Sequence, residues 1–195
     1  MRVIGTVGLA GSGKGEAAAV ARELGIPVVT MGDVIREECR RRGLDPADHH
    51  GEVAQALREE EGSLAIAERS LPMVEDALEE RGEGEGIVLV DGLRSGEEAE
   101  RFAERFGTDF VLVAVTAPFE ERRERVSDRG RDATADEGGE SLAERDEREF
   151  GFGMGEAIED ADVTIENDGG LAEFRERVRA VLVGERAVDR EGIEQ

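Results

Sequence analysis

An apolar run, Val3 to Leu9, passes directly into Gly8-Leu9-Ala10-Gly11-Ser12-Gly13-Lys14-Gly15, and an amphipathic stretch, Lys14 to Leu24, follows without a gap. Few patterns constrain a fold as tightly. A buried strand that turns through glycines straight into a helix sets its backbone amides in a ring ahead of the helix N-terminus. The spacing GxxxxGK is that of a loop wrapped around a phosphate chain. Glycines at 8, 11 and 13 permit the tight turn and the close approach of backbone to ligand. Composition sharpens the point: of 25 basic residues only Lys14 is a lysine, and every other one is an arginine. One position therefore needs a compact, mobile ammonium in place of a planar guanidinium.

Beyond the loop, apolar runs alternate with helical patterns. Val3 to Val7, Val28 to Thr30, Ile87 to Val90, Phe110 to Thr116 and Val163 to Ile165 read as short buried strands. Lys14 to Leu24, Gly96 to Phe106, Phe119 to Arg129 and Leu171 to Val183 read as helices. Such alternation predicts an α/β fold, a five-stranded parallel sheet with helices on both faces. Two segments break the rhythm. Residues 32–82 read as three successive helices, Asp33 to Arg42, His50 to Glu60 and Ser63 to Glu80. Residues 130–155 mix glycine and charge around a helical piece near Glu140 to Glu149. Inserts of this kind are candidate flaps over a substrate. The expected organisation is one domain over 1–184, with a helical insert, a short lid and an acidic tail at 185–195.

The formal charge of −23 is spread along the chain, and that field repels nucleic acid and anionic membranes at low salt. With no Trp or Tyr there is no aromatic platform for single strands either. Abundant acid with a single lysine is the surface chemistry of a salt-rich, haloarchaeal cytoplasm, where charge is screened within about 3 Å at 1 M salt. Activity and stability are then expected to rise with KCl. No apolar run is long enough to span a bilayer. Cys39 is the only cysteine, so neither an internal disulfide nor a cysteine zinc cluster can form, and a reducing cytoplasm is the expected location. His49 and His50 are adjacent and point apart on a helix, a poor arrangement for a shared metal. Arg40, Arg41 and Arg42 are accounted for by the dipole at a helix end.

GSGKG followed by no hydroxyl is similar to the loop of adenylate kinases, although Glu16 stands where those kinases place threonine. The run Thr30-Met31-Gly32-Asp33-Val34-Ile35-Arg36 resembles their entry to the acceptor subdomain. That resemblance implies Asp33 near a metal and Arg36 on the acceptor phosphate. Val88-Leu89-Val90-Asp91-Gly92-Leu93-Arg94 looks like their third strand, implying an acceptor role for Arg94, though the intervening proline is missing. Asp91 is either a strand-end cap or, at the C-terminal edge of a buried strand, a holder of hydrated Mg²⁺. Arg125 and Arg129 share a helix face and match arginines that contact the transferring phosphates and the adenine; Arg145 and Arg148 match lid arginines. Arg122 and Arg123 read as surface ion-pair partners, and Arg58 as either an acceptor contact or a solvated helix position.

Asp162-Val163-Thr164-Ile165-Glu166-Asn167-Asp168-Gly169 is similar to the last strand and turn of dephospho-coenzyme A kinases, which places Asn167 by the nucleotide base. GDVIREE, LREEEG, VDGLRS and ERDEREFGFG in order resemble an archaeal family of P-loop, nucleotide-kinase-like proteins. The implied activity is phosphoryl transfer from Mg·ATP to a small nucleotide-like acceptor, either a nucleoside monophosphate or dephospho-coenzyme A. The loop residues 8–15 and Asn167 bind ATP, and Lys14, Arg125, Arg129, Arg145 and Arg148 act on the phosphates. Asp33, Arg36 and Arg94 face the acceptor, and Mg²⁺ sits on Asp33 and Asp91 through water. The competing reading is a slow P-loop ATPase or switch that holds a protein partner, because Gly15 removes the loop hydroxyl that contacts Mg²⁺ and leaves Glu16 beside it. Base preference and oligomeric state are left open by the sequence.

Overall fold

The computed structural model describes residues 1–82, 86–128 and 141–184. Five strands, β1 (Arg2–Val7), β2 (Val28–Thr30), β3 (Ile87–Asp91), β4 (Phe110–Thr116) and β5 (Val163–Glu166), form one sheet in the order β2-β3-β1-β4-β5. All pairings are parallel; Gly5 of β1 lies between Val90 of β3 and Leu112 of β4. Parallel strands need helical crossovers and burial on both faces, and the side chains obey that period of two. Val3, Val7, Val88, Val90, Leu112 and Ala114 feed one apolar core, while Ile4, Leu89, Val113, Val115 and Ile165 feed the other.

The second core is closed by α1 (Lys14–Glu23) and α9 (Leu171–Val183), through Ala17, Val20, Ala21, Phe174 and Val178. The first is closed by α2 (Met31–Arg41), α3 (Pro46–Glu61), α4 (Ala65–Glu79), α5 (Gly96–Phe106) and a short α8 (Met154–Glu159). The remaining helices, α6 (Phe119–Asp128) and α7 (Leu142–Gly151), flank the loop end of the sheet. As expected, the 32–82 insert is three helices, and no strand lies there. Its middle helix starts at Pro46, ahead of the expected His50, because Asp45 accepts the Ala47 N–H at 2.9 Å and Pro46 fits the first helical turn. Glycines at 151, 153 and 155 concealed α8, whose first residue follows a left-handed Gly153. The expected tail at 185–195 and the segment 129–140 of the lid lie outside the described residues.

The arginine triplet has more to do than answer a helix dipole. Arg41 and Arg42 donate to the buried carboxylate of Glu38 at 2.8 and 2.6 Å, and Arg69 of α4 joins them at 3.0 Å. These guanidiniums, Arg41 foremost, overcome burial and hold the Glu38 carboxyl down to about 2. The cluster ties α2 to α4.

Candidate active site

Strand order reverses direction at β1, and a crevice opens beyond the carboxyl ends of the strands at such a point. A cleft of about 310 Å³ lies there. One end is walled by Gly8, Ala10, Gly11, Ser12, Gly13, Lys14 and Gly15. Gly8, Gly11 and Gly13 have φ of 144°, 77° and 119°, a region side chains avoid, and a Cβ on Gly8 would stand 2.2 Å from the Val115 carbonyl oxygen. No side chain caps α1 at Gly13; the Glu16 N–H bonds the Gly13 carbonyl at 2.9 Å, and the amides of Lys14 and Gly15 point with the helix dipole toward the cleft. Among the described residues the buried Ser12 hydroxyl has no hydrogen-bond partner, and it is a further donor within this loop.

Lys14 donates from Nζ to the Gly8 carbonyl, a short contact, and to the Leu9 carbonyl at 3.2 Å. Burial pulls its ammonium down to about 8, against the opposing pull of Glu149 and Asp91; Arg94 and Arg145 lower it further. Glu149, on α7, was not singled out by the sequence. Its buried carboxylate meets Arg94 and Arg145, each at 3.4 Å, and so lies among three of the cations that could grip phosphates. Asp91 ends β3 in the cleft wall, 3.4 Å from the Thr6 hydroxyl.

Side chains from separate elements build the other end: Arg36 of α2, His50 and Arg58 of α3, and Arg94 after β3, with Ile35, Ile66, Leu93 and Met154 between them. Glu98 of α5 is buried beneath, accepting the Arg94 backbone N–H at 2.7 Å and standing 4.0 Å from Arg58. Burial pushes the Glu98 carboxyl up and the Arg58 guanidinium down. Burial also lowers His50, and the charges of Arg36 and Arg94 add to it. His49 instead faces outward and meets Glu52 at 3.0 Å.

Helix α7 is clamped to the phosphate loop. Arg122 of α6 donates to both carboxylate oxygens of Asp146 on α7, at 2.9 and 2.7 Å, and to the Ala10 carbonyl at 3.1 Å. This pair is buried, which corrects the expected surface role of Arg122; Arg123 does pair at the surface with Glu120. Asn167 donates from Nδ2 to the Ser12 carbonyl at 2.8 Å and would collide with any Cβ on Gly13. It braces the loop, and its own carbonyl accepts from Arg125 at 3.1 Å.

Of the residues singled out by sequence, the cleft gathers the loop with Lys14, except Leu9, which packs against the core, together with Arg36, Arg58, Asp91, Arg94 and Arg145. It does not gather Asp33, whose carboxylate is half exposed and held by Arg36 at 2.6 Å, away from Asp91. Arg125 sits behind the loop, Arg148 is exposed on α7 outside the cleft wall, and Arg129 lies outside the described residues. Glu16 turns away to pair with Arg175 of α9, which removes the carboxylate feared beside Gly15. His50 and Glu98 went unrecognised, since only the meeting of α2, α3 and α5 reveals them. For Glu149 the available signal was its i+4 spacing from Arg145. Among the described residues no group of three or more His, Cys, Asp or Glu could hold a metal by itself, and no helix is long and apolar enough to cross a membrane.

Comparison with known proteins agrees with this geometry. The family model described as an AAA domain matches residues 7–143. A UPF0200 protein of Halobacterium salinarum is 56% identical over 185 residues, covering 95% of this chain and 94% of its own. The crystal structure of TT1252 from Thermus thermophilus superposes with a TM-score of 0.63 at 24% identity, over 95% of this chain and 98% of that one. Shikimate kinase from Acinetobacter baumannii, in complex with shikimate, gives 0.56 at 18% identity over 95% of each chain. At such identities the structural matches establish the fold, that of P-loop kinases.

Proposed function

Since the chain belongs to the archaeal UPF0200 family and carries an AAA domain, we propose that it is an ATP-dependent phosphotransferase. The reaction moves the γ-phosphoryl group of Mg·ATP to a small nucleotide-like acceptor, of which nucleoside monophosphates and dephospho-coenzyme A are the two candidates. One observation carries the reading: a single cleft runs from the loop amides and Lys14 to Arg36, Arg58 and Arg94. A protein that only binds or hydrolyses a triphosphate has no need of a second cationic end.

In this reaction the bond from the γ-phosphorus to the bridging oxygen breaks as one to an acceptor oxygen forms, and ADP leaves. Charge spreads over the transferring group, so the protein's task is placement of cations and alignment of two substrates. The loop amides, the Ser12 hydroxyl and Lys14 grip the donor, Arg94 and Arg145 flank the transferred group, and Arg36 holds the acceptor. Mg²⁺, when bound with ATP, neutralises phosphate charge. The residues fit it through water: Asp91 lines the cleft, Gly15 offers no hydroxyl but open space, and Glu16 is engaged elsewhere. Asp33, which the sequence suggested for the metal, stays with Arg36. Docking of α7 shields the transfer from water.

A nucleotide switch remains the second reading, favoured by the missing hydroxyl at Gly15. ADP release measured with and without AMP, CMP, UMP, GMP and dephospho-coenzyme A separates the two. A kinase shows turnover that depends on one acceptor and a phosphorylated product; acceptor-independent release alone would reject the kinase.

A further inference from the structure

His50 is the cleft residue whose chemistry the phosphotransferase reading leaves unused. It sits on α3 two turns before Arg58, at i and i+8, so both project from one side of the helix toward the acceptor end. Its ring lies against the start of α2: a Cβ built on Gly32 would be 3.4 Å from Nε2. The charged groups facing it are guanidiniums, Arg36 from α2 and Arg94 from the loop after β3. Each guanidinium rests beside a carboxylate that an arriving anion would have to compete with: Arg36 on Asp33 at 2.6 Å, Arg94 3.4 Å from Glu149, and Arg58 4.0 Å from the buried Glu98. A chain with a net charge of −23 still brings four basic side chains, Arg36, His50, Arg58 and Arg94, into one cleft beside the carboxylates of Glu98 and Glu149.

That arrangement has a preference in its ligand. A carboxylate offers one charge and two coplanar oxygens, which a single guanidinium fork already satisfies. A phosphomonoester dianion offers a third oxygen and a second charge. Burial first, and then the guanidiniums of Arg36 and Arg94, disfavour the charged imidazole, so negative charge brought beside it favours uptake of a proton. We propose that the end walled by Arg36, His50, Arg58 and Arg94 is built for the phosphomonoester dianion of the acceptor, and that His50 is the residue that separates this group from a carboxylate. The inference rests on the phosphotransferase reading and narrows its acceptor. A nucleoside monophosphate satisfies the site, whereas the phosphodiester and diphosphate linkages of a coenzyme offer single charges per phosphorus.

The chain has two histidines, so proton NMR of the imidazole C2–H in the whole protein at molar KCl resolves both, and H50N identifies the His50 signal by its loss. The titration midpoint of each is followed alone and with saturating AMP, CMP, inorganic phosphate or acetate. Phosphate and at least one monophosphate are expected to raise the His50 midpoint by about one pH unit, a tenfold tighter hold on its proton. His49, paired with Glu52, is expected to stay put, and acetate to move neither. A His50 midpoint unmoved by every phosphate probe overturns the proposal, as does an equal response to acetate. Calorimetry with Mg·ATP on the same sample keeps the two readings apart. Normal ATP uptake with an unresponsive His50 sinks this inference alone, and no ATP uptake sinks the phosphotransferase.

Discussion

The two ends of the cleft are made of different material. The end proposed for the donor lies within residues 8–15, of which all but Leu9 form the wall with their glycines, backbone amides and one ammonium. The other end, the one proposed for the acceptor, is assembled from the side chains of α2, α3 and the loop after β3, over a carboxylate of α5. Backbone amides grip any phosphate chain alike, because every residue supplies the same N–H. Side chains brought from afar can be exchanged singly, so on the proposed reading that end is where selectivity would be set. A chain can keep the first wall unchanged while the second is adapted to a new acceptor.

The largest test breaks the donor end from behind. Arg122→Met leaves the Asp146 carboxylate buried without its partner and the Ala10 carbonyl without its donor, and should cost about 3–5 kcal/mol in urea unfolding. Restoring much of this with Arg122→Met/Asp146→Leu would show that the unpaired charge was the cause; a loss below 1 kcal/mol would mean that α7 is not docked this way. Next, Lys14→Ala should weaken Mg·ATP binding about 100-fold, or ~2.7 kcal/mol, while leaving the melting temperature of the unliganded protein and the His50 response to phosphate intact. If the phosphate response disappeared too, the two ends would not be separable.

A pH series gives a smaller effect. Lys14 has an ammonium lowered to about 8, and a bound triphosphate favours its charged form. The sign follows: below pH 8 the proton is already present, and above it binding must take one up. ATP affinity should therefore fall about tenfold per pH unit above 8, with proton uptake visible as a buffer-dependent heat. A flat profile to pH 9.5 would contradict the assignment. Smallest is Glu149→Gln, at the junction of the ends. With the competing carboxylate gone from between Arg94 and Arg145, Mg·ATP should bind about 3–10-fold tighter at pH 6.5. Weaker binding would instead mark Glu149 as a positioning group for the two arginines.

How much could be read from the sequence divides along the same line. Strand, loop and α1 were legible because the phosphate loop is local: its glycines and Lys14 fall within eight positions, and Val3 to Val7 announces the strand. The helices of the insert were legible from their period, apart from the start at Pro46, where Asp45 and Pro46 carried the signal. Arg36, Asp91 and Arg94 came through resemblance and do line the cleft. Asp33 did not join them, because a residue three positions before an arginine on a helix is first of all that arginine's partner. Arg122 was misjudged for want of Asp146, which lies 24 residues away. His50 and Glu98 acquire meaning only when α2, α3 and α5 meet, and spacing along a chain does not report which helices touch.

The solitary lysine gives the protein an unusual chemical address. Amine-directed reagents ordinarily scatter over a protein surface, but here the whole chain offers them one side-chain target besides the α-amino group at Met1. That target lies at the floor of the phosphate loop and is partly neutral near pH 8, the form in which an amine is nucleophilic. A mild acylating reagent should therefore behave as a titrant of the donor end, with loss of ATP uptake proportional to label at Lys14 and protection by the nucleotide itself.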